Sequence, residues 1–291
     1  MLGADSGPGG RAGAVIPRAT YRLQLNADFT FRDATALVPY LDSLGISHVY
    51  CSPYFRSRPG SKHGYDVVDH NSLDPEIGTR EEFEQFVATL RAHGMGHILD
   101  FVPNHVGIMG ADNAWWMDVL ENGKASRYAD FFDIDWAPPS PGLAGKLLVP
   151  ALGRPYGSIL ESGELQLRYE AASGSLAVFY HDHRFPIDPR SYPVVLEKAL
   201  ARIPAHGTTG SPTAAAASAG HDAEVSGDAR REFESLISAF HNLPERGASS
   251  NEQFLERDRD KDIHKKRLGA LIKDTPGLAA AIESAVAEIS G

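Results

Sequence analysis

The sequence predicts an α/β protein built on a parallel sheet, and three observations carry that reading. Strand-period and helix-period segments alternate from Ala19 to Val102. Glycines stand where each predicted helix must stop, at Gly45 and at Gly94 and Gly96. Unusual polar residues gather just behind each predicted strand: Gln24 and Asn26, then Ser52 and Tyr54, then Asn104 and His105. In parallel α/β folds the chemistry collects at those strand ends.

Each element follows from a local pattern. Ala19 to Leu25 alternates polar and apolar residues, with Tyr21, Leu23 and Leu25 on one face, as a strand does. Asp33 to Leu44 places Ala34, Leu37, Val38, Leu41 and Leu44 at helical spacing. Ile46 to Cys51 is a second short apolar strand, ended by Ser52-Pro53, and Tyr54 to Pro75 reads as a polar loop. Thr79 and Glu82 form a capping-box pattern ahead of a helix that runs to about His93, with Phe83, Phe86, Val87 and Leu90 on one face. His97 to Val102 is the third strand. Consecutive strand–helix–strand units of this kind imply a parallel sheet.

The character changes near Asp133. Proline and glycine become frequent to about Pro193. Glu164–Tyr169 and Leu176–Tyr180 read as a hairpin turning at Ala171–Gly174, so a β-rich insertion is expected over residues 133–195. Residues 196–291 are expected to be helical around an Ala/Gly/Ser-rich surface loop at 205–227. Helices are expected at Arg230–Phe240, at Asn251–Lys273 with a densely charged, solvated face, and from Thr275-Pro276 onward. Residues 1–15 read as a flexible tail, which leaves 16–132 as the strand–helix core.

Composition excludes several classes. Of the 291 residues 42% are hydrophobic and 23% charged, enough for a sizeable core and too apolar for wholesale disorder. The formal net charge of −10 argues against a nucleic-acid footprint, and no apolar run is long enough to span a bilayer. Cys51 is the only cysteine, so no internal disulfide forms and the cytoplasm is the default compartment. No oligomeric state is read from the sequence.

Two stretches carry chemistry. In HILDFVPNHVG, Asp100 and Val102 share one strand face, Phe101 takes the other, and Pro103 turns the chain so that Asn104 and His105 arrive at the mouth of the sheet. The plainer reading is an acid capping a neighbouring helix beside a loop histidine. In GSKHGYDVVD, Gly60 and Gly64 bracket a loop holding His63, Tyr65 and Asp66. An aromatic at a sheet mouth can stack on the apolar face of a sugar ring, and Asp66 can bind hydroxyls or lock the loop. The plainer reading is a tyrosine packed on its own loop among Asx-turns. Both stretches follow consecutive parallel strands, at the same end of the sheet.

Together, HGYDVVDH and DFVPNH resemble the α-amylase clan, glycoside hydrolase family 13. With ATYRLQLNADFTF, LGISHVYCSPYFRSRPGSKHGYDVVDH, DNAWWMDVLENGKASRYADFFDIDW and LLVPALGRPYGSILESGEL, the sequence is most similar to the maltooligosyl trehalose synthase family, from about Ile16 to Leu196. That resemblance implies a partial TIM (β/α)8 barrel holding the first three βα units, with a β-rich subdomain inserted after the third strand, then helices. It implies an isomerase, a (1→4)-α-D-glucan glucosylmutase of trehalose biosynthesis. Such an enzyme converts the reducing-end α-1,4 link of a maltooligosaccharide to an α,α-1,1 link by intramolecular transglucosylation. No cofactor and no metal are implied, and the partner is an α-1,4-glucan. Tyr65 matches the aromatic that stacks on the sugar whose bond is broken, and His105 the histidine that hydrogen-bonds that sugar. Asn104, Asp66 and His63 join them as substrate-binding residues, with Asp100 in support. Trp115, Trp116 and Trp136 line the closed site or simply pack a core.

Clan members cleave with two carboxylates roughly 5–5.5 Å apart in the retaining mechanism. The family's nucleophile Asp follows the fourth barrel strand, in an Arg-x-Asp string, and its acid Glu follows the fifth. Neither string occurs here: Arg257-Asp258-Arg259-Asp260 sits in a helical run, and His181-Asp182 and His221-Asp222 are two-residue coincidences. The catalytic residues are therefore expected beyond Gly291, and this chain alone is expected to be an inactive N-terminal portion. An amylase-type hydrolase and a catalytically silent glycan-binding remnant are the competing readings.

Overall fold

A computed structural model describes residues 16–204, 225–247 and 250–290. The expected tail at 1–15 and most of the expected loop at 205–227 lie outside the described residues. By its contacts the chain divides after Ile108 into two units.

The first unit is built on three parallel strands, β1 (Thr20–Leu23), β2 (His48–Cys51) and β5 (Gly96–Leu99), side by side in that order. Helix α1 (Phe31–Ser43) connects β1 to β2, and α2 (Arg80–Ala92) leads into β5. The register sets Arg22 beside Tyr50 and Tyr50 beside Ile98. Leu23, Val49 and Cys51 lie on one face of the sheet and are buried with Leu25, Phe31, Val38, Leu41, Phe86 and Leu90. The amphipathic faces of α1 and α2 thus close one side of the sheet, as their apolar spacing requires. The α2 cap forms as its residues dictate: Thr79 Oγ1 accepts from the Glu82 amide at 3.3 Å, and the Thr79 amide donates to Glu82 Oε2 at 2.8 Å.

Three details differ from the sequence reading. The third strand ends at Leu99 rather than Val102, although the Asp100 amide still donates to the Cys51 carbonyl at 2.9 Å. The alternation of β1 puts Tyr21 on the same face as buried Leu23, yet Tyr21 is 44% exposed. It sits on β1, which among the described residues has a strand neighbour on one side, so the sheet edge leaves its ring uncovered. Residues 54–75 are not a plain loop. Strand β3 (Phe55–Ser57) pairs antiparallel with β4 (Val67–Leu73) through two register shifts, making a bulged hairpin. Polar residues at 69–72 and the bulges hid the two-residue alternation.

The second unit begins with α3 (Ala114–Asn122). The β content expected over 133–195 is confined to residues 166–186; before it lie turns and the short helix α4 (Tyr156–Glu161). The predicted hairpin is β6 (Gln166–Glu170) with β7 (Ser175–Tyr180), and β8 (His183–Pro186) adds a third antiparallel strand. Helices α5 (Pro193–Leu200), α6 (Gly227–His241), α7 (Asn251–Lys273) and α8 (Pro276–Ser290) follow. Tyr192, Leu196, Phe233, Phe240, Leu268 and Ile282 form its core with Leu176. Ser226 caps α6 by accepting from the Ala229 amide at 3.1 Å, and Val225 is buried, so the end of the expected 205–227 loop belongs to the packed structure.

Helix α7 is not merely solvated. Arg257 is fully buried and Lys261 is 4% exposed. Arg257 donates to Asp188 at 2.7 Å, to the Pro244 carbonyl at 2.6 Å and to Asn122 at 3.2 Å. Lys261 reaches Asp118 at 3.1 Å, and Lys265 reaches Glu121 at 2.9 Å. Lys261 and Lys265 therefore find acidic partners on α3, and Arg257 finds Asp188, which satisfies groups that are costly to bury alone. Among the described residues no helix is long and apolar enough to cross a membrane.

Candidate functional site

The site in the first unit grows from one row of the parallel sheet. Arg22, Tyr50 and Ile98 stand side by side, and Asp100 lies two residues beyond Ile98, hence on the same face. This face is opposite the one buried under α1 and α2. Arg22 Nη1 donates to Asp100 Oδ2 at 3.0 Å, and Arg22 Nη2 donates to the Tyr65 hydroxyl at 3.1 Å. The Tyr65 hydroxyl in turn donates to the same Asp100 oxygen. The Arg22 guanidinium lies 4.8 Å from the centre of the Tyr50 ring, a cation–π distance.

The electrostatics follow from this closed triangle. Burial works against the Asp100 carboxylate, but hydrogen bonds from Tyr65, Arg22 and Tyr50 outweigh it and hold Asp100 below the usual range. Tyr65 is pushed up, first because its proton is held in the bond to Asp100. Asp100 is therefore an ionised acceptor with its charge compensated by Arg22. It fixes the tyrosine and has no proton to give to a leaving group.

The loop that delivers Tyr65 is shaped by Gly64. Its φ is +74°, and a Cβ there would stand 2.4 Å from the Pro53 carbonyl oxygen, so only glycine fits without moving backbone. Asp66 is engaged inside the loop: its Oδ1 accepts from Ser61 Oγ at 2.5 Å and its carbonyl accepts from the Arg58 amide at 3.1 Å. Gln24 and Asn26, behind β1, donate to the Lys62 carbonyl at 3.3 Å and tie the loop to the sheet.

Three rings line up on this scaffold. His63 lies nearly parallel to Tyr65 with centres 6.0 Å apart, and its Nδ1 accepts from the Tyr65 amide at 3.0 Å. His105 meets Tyr65 edge-on at 6.2 Å. Asn104 Oδ1 sits 3.2 Å from His105 Nδ1, which orients the imidazole. The structure thus brings Tyr65, His105, Asn104, His63 and Asp100 together, and places Asp66 one step back as a brace. A half-buried tyrosine face flanked by two imidazoles offers apolar ring surface and hydrogen-bonding nitrogens side by side. That combination suits a hydroxylated ring.

Sequence reasoning missed Arg22 and Tyr50. The signal was present: a lone arginine between Tyr21 and Leu23 in a strand needs a counter-charge, and Asp100 in an apolar run needs one too. The tryptophans belong to the second unit. Trp116 is buried and packs against Phe132 at 5.0 Å, while Trp115 stacks on Tyr128 at 5.4 Å.

Residues 31–154 match the model of the alpha-amylase catalytic domain. The similarity is to the alpha-amylase family, and within it to maltooligosyl trehalose synthases. The putative maltooligosyl trehalose synthase of Mycobacterium tuberculosis (strain H37Rv) is 42% identical over 170 residues, covering 54% of this chain and 22% of the relative. The intracellular maltogenic amylase of Bacillus subtilis (strain 168) is 43% identical over 95 residues, 33% of this chain and 15% of the relative. The solved maltooligosyltrehalose synthase from Arthrobacter ramosus is 42% identical with a TM-score of 0.51, covering 59% of this chain and 21% of that one. A hypothetical maltooligosyl trehalose synthase of Sulfolobus tokodaii is 33% identical with a TM-score of 0.51, covering 65% of this chain and 24% of that one. The resemblance drawn from HGYDVVDH and DFVPNH is borne out. The chain spans about a fifth of the length of the curated synthases it matches.

Proposed function

We propose that this chain supplies the opening strands of the barrel of a cytoplasmic maltooligosyl trehalose synthase, and that Tyr65 and His105 bind the glucosyl ring whose bond is rearranged. The observation that carries the reading is the Arg22–Tyr65–Asp100 triangle, which holds a tyrosine face at the C-terminal mouth of a parallel sheet beside an oriented imidazole. In this reading Tyr65 stacks on the apolar face of the sugar, and His105, His63 and Asn104 take its hydroxyls. The nucleophile and the acid come from sequence outside these residues, since the carboxylate at this cluster is paired with Arg22. Cleavage then yields a glucosyl-enzyme, and the released reducing-end glucose turns and attacks through its anomeric hydroxyl. Exclusion of water from the site keeps hydrolysis from competing.

Product analysis on maltohexaose tests this reading, with the longer protein containing this segment and with the 291-residue chain alone. Loss of reducing ends without release of glucose supports the isomerase. New reducing ends instead identify a hydrolase, the activity that the name of the Bacillus subtilis relative suggests. Saccharide binding without turnover in the longer protein would leave only a glycan-binding remnant. The chain alone is expected to turn over nothing; trehalosyl product from it would overturn the placement of the catalytic carboxylates elsewhere.

A further inference from the structure

His97 is an imidazole walled by aromatic rings. It stands on β5 beside Val49 of β2. Tyr54 lies nearly parallel to it with centres 5.8 Å apart, Phe86 of α2 meets it edge-on at 5.8 Å, and Phe83 of α2 is tilted at 6.3 Å. Its Nε2 is buried and makes no hydrogen bond among the described residues. Alternate residues of a strand face opposite sides, so His97 faces the helices while Ile98 and Asp100 face the other way. The cluster around Tyr65 does not use this ring.

Such a pocket holds a neutral imidazole and rejects a charged one. A proton adds a charge and a second N–H donor where a buried nitrogen already lacks a partner. Two titratable groups lie on the same side, the Tyr54 hydroxyl and, diagonally across on β2, the Cys51 thiol. Burial pushes both up to about 12, so both are neutral. Helix α2 presents Phe83 and Phe86 to this core, and α1 presents Phe31 and Val38. The rings stand at the outer limit of a cation–π contact and do not replace lost water. Among the described residues no charged group acts on His97, and burial holds its imidazole below the ordinary 6.5.

The strand it packs has few other holds. Among the described residues β5 is bonded to one strand, β2, and the packing of His97 and Leu99 on the aromatic cluster is its second attachment. Its end leads directly to Asp100, whose amide donates to the Cys51 carbonyl at 2.9 Å and whose carboxylate accepts from Tyr65.

We propose that His97 is a proton-sensitive pin for β5. Neutral, it locks the strand onto α2. Protonated, it leaves the aromatic pocket for water, loosens β5 and slackens the Asp100 anchor of Tyr65. The folded chain binds fewer protons here than the unfolded chain, so this contribution is present above the ordinary imidazole value and is lost as pH falls below it. That window lies above the one governed by Asp100.

Amide exchange of the 291-residue chain, parent and His97→Phe, read by mass spectrometry at about pH 7.5 and about pH 5.5, tests the proposal. Comparing the two proteins at one pH cancels the intrinsic exchange rate. The ratio of parent to variant exchange over 96–100 should rise on acidification by up to about tenfold, the effect of one pH unit on one proton, and 61–65 should follow. Nuclear magnetic resonance of labelled histidine in the parent gives a second reading that stands if the phenylalanine variant fails to fold: His97 should titrate below 6.5. Titration of His97 at or above 6.5, an exchange ratio indifferent to pH, or a change over 96–100 that does not reach 61–65 would each overturn the proposal.

Discussion

Arg22 and Asp100 stand 78 residues apart in the chain and meet at 3.0 Å across the sheet, with the Tyr65 hydroxyl bonded to both. Their joint effect is to restrict the rotation of Tyr65, so that in the proposed reading its ring face is already placed before a sugar binds. Preorganisation of this kind raises affinity by lowering the ordering cost of binding.

Arg22→Ala should therefore weaken saccharide binding without deleting any group that stacks on the sugar. The expected loss is about tenfold, on the order of one charge-assisted hydrogen bond. Arg22→Lys should recover only part of it, because an ammonium does not reproduce the fork that reaches Asp100 and Tyr65 together. Maltopentaose titrations of the three proteins check this.

Asp100 links the site to pH. Its pKa in the fold lies below the ordinary value of 3.8, because bonds from Tyr65, Arg22 and Tyr50 overcome the effect of burial. A depressed carboxylate contributes stability that is present above its unfolded pKa and is lost as pH falls through its folded one. Asp100→Asn should thus be less stable than the parent near neutrality, and the difference should shrink below the ordinary carboxylate range. Urea midpoints followed by circular dichroism across acidic pH measure it; a constant gap would contradict the assignment.

Gly64→Ala should destabilise the first unit by about 2 kcal/mol or more, since a positive φ and a backbone clash act together. The new Cβ would press on the Pro53 carbonyl, and the loop carrying Tyr65 would have to move. Faster proteolysis in the 61–65 loop and weaker saccharide binding are the expected readouts.

Helix α7 offers two arginines for contrast. Arg257→Ala should cost about 3 kcal/mol, near the lower limit for breaking a buried pair, because Arg246 still faces Asp188 at 3.0 Å. Arg259 is exposed and, among the described residues, pairs with its neighbour Asp260, so Arg259→Ala should leave the urea midpoint close to that of the parent. All three tryptophans lie in the second unit, so their fluorescence in urea reports both changes.

Thr79→Ala should cost about 1 kcal/mol, the usual value of an N-cap side chain. Amide exchange in the first turn of α2 locates the loss, because Thr79 serves the Glu82 amide there.

The sequence by itself determined what depends on neighbours along the chain. Alternation in TYRL, the 3.6-residue spacing of Ala34, Leu37, Val38 and Leu41, the Thr79–Glu82 cap and the Leu176–Tyr180 hairpin arm are local patterns, and each produced the element it implied. That Tyr65, His105 and Asn104 come together was legible because motif and strand end coincide; their part in binding is a proposal. Only the tertiary structure decided which distant charges meet. Arg22 finds Asp100 because β1 and β5 flank β2 in register, and Arg257 is buried because residues of α3 and Asp188 close around it. Periodicity records how often a residue faces inward; the partner that makes a buried charge tolerable is set by which elements pack together, and no local pattern encodes that.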